Sequence, residues 1–371
     1  MASDGFASIS VKHCPSHLVR EQIVSLLLSW GMERDIVETT AEVMVETDLA
    51  GVDSHGVSML MDYENSKSKG KLNLKAKPRV VRETSVTALI DADAGLGHPA
   101  AVMAMELAIE KARQMGVAVA SVFNSHHFGA AGYYAALASR AGLVGMVTSA
   151  TRSIAVVPTR ASIPVLGTNP IAFAAPARRN RSFLLDMATS TVANNKIKVH
   201  DLNGKKLPPG WVLDGQGKPV TDPAEALDIV YSRKAGGGQT PVGGTAEMSS
   251  HKGYGLALMV HILGGTLSGA SFSPIRVKTQ KPSDPDRLGH FFLAIDPKAF
   301  RPEGAFEADL DAVIDVLHGT APVDPAQPVL VPGDPEAAAR ERRLREGIPL
   351  PASLLEKLRA ICERSGVAFI L

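Results

Sequence analysis

Residues 117–150 read VAVASVFNSHHFGAAGYYAALASRAGLVGMVTSA, and the fold turns on them. Val117 to Phe123 carries the β-branched and small apolar side chains of a strand. NSHHFG (124–129) follows as a polar loop, and AAGYYAALASRAG (130–142) reads as a helix of small residues. LVGMVTSA (143–150) returns to strand composition, as do IAFAAP (171–176), FLLDMA (183–188) and FFLAID (291–296). Strands alternating with helices define an α/β chain. Several of these strands are close enough in sequence to pair antiparallel, so a mixed sheet is expected.

Outward from this stretch, VVRETSVTALIDADAG (80–95) suggests two short strands. Pro99 then stands where a first helical residue would, Met103, Leu107, Ile109 and Met115 populate the helix, and Gly116 stops it. Nearer the start, Leu18, Val19, Ile23, Leu26, Leu27 and Trp30 form one helical stripe closed by Gly31. A second stripe runs through Ile36, Thr40, Val43 and Met44 and ends near Gly51. Asn65 to Arg79 is basic and broken by glycine and proline, an exposed connection, and Lys278 to Gly289 is a polar loop. The tail from Pro335 is charged and helical, with Leu354, Leu355, Leu358 and Ile361 as its apolar face.

Composition narrows the class. Of 371 residues 45% are apolar and 21% charged, which excludes a disordered chain, a collagen and a coiled coil. The 39 basic side chains against 38 acidic ones leave no broad positive field, so nucleic-acid binding is not expected. The two cysteines, Cys14 and Cys362, carry no CxxC or catalytic motif and read as inert thiols in a reducing compartment, the cytoplasm. The opening MASDGFASISVKHCPSHLV lacks the apolar run of a signal peptide. Tyr254 to Phe272, the best membrane candidate, is broken by His261 and by glycines and hydroxyl residues, so it reads as a buried helix plus a loop, and no membrane partner is expected.

Four polar clusters lie at loops or element ends: Gly51-Val-Asp-Ser-His-Gly-Val57, Asn124-Ser-His-His-Phe-Gly129, Leu166-Gly-Thr-Asn-Pro170 and Leu185-Asp-Met-Ala-Thr-Ser190. The second and fourth follow strands, where open α/β sheets hold their ligands. His55 and His127, each flanked by small residues, titrate in the range that suits taking and returning a proton. The plainer reading of either is a turn histidine bonding local backbone. His126 and His127 point apart if on one strand end, and no HExxH or HxxxH exists, so no metal site is expected. Ser54 and His55 are neighbours without a GxSxG elbow, which argues against a hydrolase triad. Gly95-Leu-Gly97 precedes a helix but is not GxGxxG, so the dinucleotide fingerprint of the Rossmann fold is absent. Residue chemistry alone therefore reaches an α/β enzyme with candidate histidines.

Taken in order, GVDSHGV, DADAGLGHPAA, NSHHFGAAGYYA, LGTNP, LLDMATS and SSHKGYGLALMV resemble the second-type malate/L-lactate dehydrogenases. These are non-Rossmann oxidoreductases that use NAD or NADP. The resemblance runs from about Val19 to the PGD of Pro332–Asp334 and the GIPLP beyond it. It implies an α/β (α+β-like) fold with a mixed, largely antiparallel cofactor-binding sheet over 80–299. A mostly helical domain from residues 1–79 and about 300–371 would accompany it. It also implies a homodimer and hydride exchange with a small 2-hydroxy or 2-oxo acid, the alternative being a cyclic imino acid reductase. His127 matches the proton acceptor of some members; Ser54 and His55 match a relay and proton donor of others. Tyr63 matches a tyrosine near the substrate. Thr151, Leu185, Asp186, Met187, Lys196 and Gly333 fall at cofactor-facing positions, and Lys252 lies in the matching HKGYG segment.

Two departures bear on the substrate. The arginine that binds the carboxylate in SHGVxR members is Met59 here, and a thioether cannot pair a carboxylate. Arg152 and Arg160 are the candidate replacements. Lys196 stands where imino acid reductases carry an aspartate, which favours a hydroxy-acid dehydrogenase.

Overall fold

The computed structural model describes residues 11–232 and 236–371; residues 1–10, in the stretch read as lacking a signal peptide, lie outside it. Seven strands form the central sheet. They are β2 (Arg79–Glu83), β3 (Thr87–Asp91), β4 (Val117–Ser125), β5 (Val144–Ala150), β6 (Ile171–Ala175), β7 (Phe183–Met187) and β11 (Leu288–Ile295). Their spatial order is β2-β3-β4-β11-β5-β6-β7. The β3–β4 pair is parallel and every other pair antiparallel, so the sheet is mixed and largely antiparallel. Because β11 runs against both β4 and β5, and β6 against both β5 and β7, strands β3, β4, β5 and β7 all leave the sheet at one edge. The loops after them carry NSHHFG, Thr151-Arg152 and the end of LLDMATS.

One face of the sheet is covered by α4 (Gly97–Met115) and α5 (Ala131–Arg140). Their buried positions are dominated by alanine: Ala100, Ala101, Ala104, Ala108, Ala131, Ala135 and Ala138 pack on Ala120, Val122, Val147 and Phe292. Small side chains let the helices lie close on the strands. Pro99 falls within the first turn of α4, and Gly116 ends it at φ +84°, the left-handed C-terminal position glycine favours. The opposite face is partly covered by α8 (His251–His261) and the wide helical turn Ile262–Thr266 that continues it. Short α9 (Ser273–Arg276) follows.

A second core gathers α1 (Ser16–Ser29), α2 (Arg34–Leu49), α3 (Leu60–Ser68) and α12 (Ala352–Ser365). The two predicted stripes are the buried faces of α1 and α2. Helix α2 also touches α4 and α5, which fixes this layer to the sheet. Asn65–Ser68 belongs to α3, so the exposed connection begins only at Lys69. The tail is not one helix either. Helix α11 (Asp334–Glu346) stops at Gly347, φ +94°, and β12 (Ile348–Pro351) intervenes before α12. β12 pairs antiparallel with β1 (Val11–Cys14), aligning Cys14 with Ile348.

A smaller unit has its own core of Val192, Ile197, Leu207, Val212 and Ile229. It comprises α6 (Asn194–Leu202), α7 (Pro223–Ser232) and the two-residue strands β8 (Val212–Leu213), β9 (Pro219–Val220) and β10 (Gly238–Gln239). Helix α10 (Ala305–His318) docks on the β6–β7 connection, where Asp311 accepts from the Arg179 and Asn180 N–H groups. Among the described residues no helix is long and apolar enough to cross a membrane.

Candidate active site

A cleft of about 810 Å³ lies where β4, β5 and β7 end, facing the α2–α3 connection on one side and α11 on the other. That volume is within the range of pockets for sizeable organic ligands. Its floor is Gly129-Ala-Ala-Gly132, entering α5.

The Gly51–Val57 loop brings in Ser54 and His55. Arg343 of α11, 8% exposed, pins the loop by donating to the Asp53 carboxylate and to the Asp48 carbonyl. Asp48, 1% exposed, lies under the loop and accepts from Val57 N–H at 2.8 Å. Burial pushes its carboxyl up to about 8, against the pull of that N–H. Ser54 Oγ lies 2.8 Å from His55 Nδ1.

His127 comes from the opposite wall, and its ring centroid is 5.3 Å from that of His55. Tyr63 of α3, 3% exposed, places its hydroxyl 2.9 Å from His127 Nδ1 and 3.4 Å from His98 Nε2. Gly129 N–H donates to the same Nδ1 at 3.3 Å. An N–H can only donate, so this pattern assigns Nδ1 as acceptor and leaves the hydrogen of neutral His127 on Nε2, free toward the cleft. Tyr63 then donates to His127 and accepts from His98 Nε2–H. His98 is fully buried, and its Nδ1 has no partner. Burial lowers the pKa of His127 well below the usual histidine value, and the charges of His55, His98 and Arg152 add to this.

The adjacent histidine points elsewhere, as expected of neighbours at a strand end. His126 Nε2 meets the Lys71 carbonyl at 3.0 Å, and Nδ1 faces Asp286 at 3.5 Å. His290, on β11, lies beneath with Phe128 stacked on it at 4.2 Å, and its two nitrogens meet Ser149 and Ser125 hydroxyls. Burial holds His290 down to about 3. Its unfolded form protonates near pH 6.5 and its folded form does not, so its contribution is present above that value and lost as pH falls toward 3. The stability difference between the native chain and His290→Gln should therefore shrink by about 1.4 kcal/mol per pH unit below pH 6.5. Urea unfolding from pH 7 to 4.5 checks this, and parallel curves would contradict it.

At the far end, Asp186 accepts from Gly132 N–H at 2.7 Å. Burial pushes its carboxyl up to about 6, opposed by that N–H and assisted by Glu336. A Cβ at Gly132 would stand 2.9 Å from Asp186, so only glycine admits this contact. Thr151, Met187 and Gly333 also line the cleft. Leu185 alternates away from it while Leu184 and Asp186 face in, as strand geometry requires. Three further predicted residues lie outside the cleft. Lys196 is exposed on α6 with Nζ 5.9 Å from the Trp211 ring, and its neighbours Asn194 and Asn195 line the cleft instead. Arg160 is exposed in a turn at φ +70°. Lys252 is exposed on α8. Met59 and Arg152 both line the cleft. Asp286, in a polar loop, and His98, in a helix start, have no local signature, and only tertiary packing brings them to the site.

A family model described as malate/L-lactate dehydrogenase matches residues 15–359. The malate dehydrogenase of Pyrococcus horikoshii is 36% identical over 369 residues, 99% of each chain. The L-sulfolactate dehydrogenase of Methanocaldococcus jannaschii is 34% identical, covering 94% of this chain and 96% of that one. The crystal structure of malate dehydrogenase from Entamoeba histolytica superposes with a TM-score of 0.90 at 30% identity, covering 98% of this chain and 100% of that one. Fold, cleft and relatives define an NAD(P)-dependent oxidoreductase acting on a CH–OH group. The chain belongs to the malate/L-lactate dehydrogenase family.

Proposed function

We propose that this enzyme interconverts a small 2-hydroxy acid and its 2-oxo acid, with His127 carrying the hydroxyl proton. The observation that carries the assignment is the Tyr63–His127 contact beside His55, on the wall of the cleft of about 810 Å³. The bound nicotinamide supplies hydride transfer to or from the substrate carbon. The lining fits such a group: the cleft floor, Gly129 to Gly132, is built of small residues, and a Cβ at Gly132 would crowd Asp186, the polar side chain at its far end. Thr151, Asp186, Met187 and Gly333 would hold the cofactor.

His127 Nε2 faces the substrate oxygen. In oxidation neutral His127, with its hydrogen on Nδ1 toward Tyr63, takes the hydroxyl proton on Nε2 and becomes imidazolium. In reduction that imidazolium returns the Nε2 proton to the forming alkoxide and is left neutral. The tyrosine hydroxyl both donates and accepts, so it supports either form. Ser54 orients His55, which stands against His127 as the second proton-handling ring. Imine reduction is the weaker reading, and the residue at the diagnostic position, Lys196, lies outside the cleft.

We extend the reading to a cytoplasmic homodimer. Met259, Ile262, Leu267, Ile275 and Val277 expose between 38% and 66% of their surface along α8 to α9, an apolar face suited to a second copy. Cys14 and Cys362 are buried and unpaired, as in a reducing compartment. The activity is tested by following NADH and NADPH oxidation with a panel of 2-oxo acids and one cyclic imino acid. Turnover of the imino acid alone overturns the assignment.

A further inference from the structure

Asp286, 3% exposed, is ringed by cations. Arg152 Nη1 is 3.0 Å from its carboxylate, Lys71 Nζ 3.2 Å and Arg276 Nη1 3.6 Å, with His126 at 3.5 Å. Three fixed positive charges against one carboxylate leave a surplus beside the cleft. Asp62, half exposed and 3.8 Å from Arg152 Nη2, offsets only part of it. A surplus held in partly buried surroundings is relieved when an anion arrives. Of the three cations only Arg152 lines the cleft, and its side chain keeps 44% of its surface.

The other arginines of the cleft are engaged elsewhere. Arg340 is held bidentately by Glu46, Arg181 pairs with Glu341, and Arg140 lies over the Tyr133 ring. Arg152 alone is near enough to the histidines to act on His127. A planar guanidinium, anchored on one edge by Asp286, presents its remaining donors in the fork that suits a carboxylate. On the α3 side, Met59 offers no donor.

We propose that Arg152, aimed by Asp286, is the cation that binds the substrate carboxylate, so the acid is held from the β5 side of the paired histidines and not from α3. This rests on the 2-hydroxy acid reading above. Its test is Arg152→Gln, with Arg152→Lys as the charge-retaining control. Arg152→Gln should raise KM for the acid about 30-fold or more with kcat little changed, the signature of lost ground-state binding. Arg152→Lys should recover part of that loss. Calorimetric binding of lactate and malate to the cofactor-loaded protein, against their amides, gives a second readout. The native protein should prefer the acids, and Arg152→Gln should lose that preference while its thermal unfolding and NAD(P) affinity stay unchanged. An unchanged KM, or no acid-over-amide preference in the native protein, overturns the proposal. A native protein that prefers the acids yet oxidises none of them sinks the hydroxy-acid reading and leaves Arg152 as the anion site.

Discussion

His127→Ala should lower kcat by about 10²–10⁴, with the thermal unfolding midpoint and NAD(P) affinity close to those of the native chain. Loss of a positioned proton carrier removes a term present only in the transition state, so kcat and kcat/KM should fall together. The pH profile sharpens the test. Burial, then the charges of His55, His98 and Arg152, hold His127 neutral far below its ordinary range. Oxidation needs that neutral form, so its rate should stay level across the ordinary histidine range and fall only as pH drops through the depressed value. Unchanged turnover in His127→Ala would pass the role to His55, where the same substitution then decides.

Gly56→Ala should be nearly as damaging, by another route. A Cβ there would lie 1.9 Å from Asp48 Oδ1 and 2.1 Å from Cγ. Asp48 is buried and committed to Val57 N–H, so it cannot swing away, and the Ser54–His55 turn must lift instead. Overpacking of this kind costs about 1–3 kcal/mol. A displacement near 1 Å at His55 costs about 10² in rate. Urea unfolding and steady-state kinetics on one preparation separate the two effects. A variant with native stability and native kcat would show that Asp48 does not set the loop height.

Legibility in the sequence followed the range of the interactions. The α1 and α2 stripes, the glycine stop at 116 and the strands around NSHHFG are local patterns and stood in plain view. The largely antiparallel sheet came from the resemblance, because which strand pairs with which is a long-range matter: β11 inserts between β4 and β5 from more than a hundred residues away. The β1–β12 pair was missed for the same reason, and because the two prolines of IPLP look like a turn. At the site, residues in named motifs were found as motifs. Asp286, held in a charged loop, has no local signature, since its partners Lys71, Arg152 and Arg276 come from three separate segments. The choice between Arg152 and Arg160 could not be made from spacing, as both lie in the connection after β5.

The clasp of Arg343 on Asp53 and Asp48 also dictates when the enzyme can first work. During biosynthesis the sheet and both histidine loops leave the ribosome well before residue 343. Until that arginine emerges, the His55 turn lacks its tether. A chain halted at about residue 330 should therefore hold an assembled sheet without turnover.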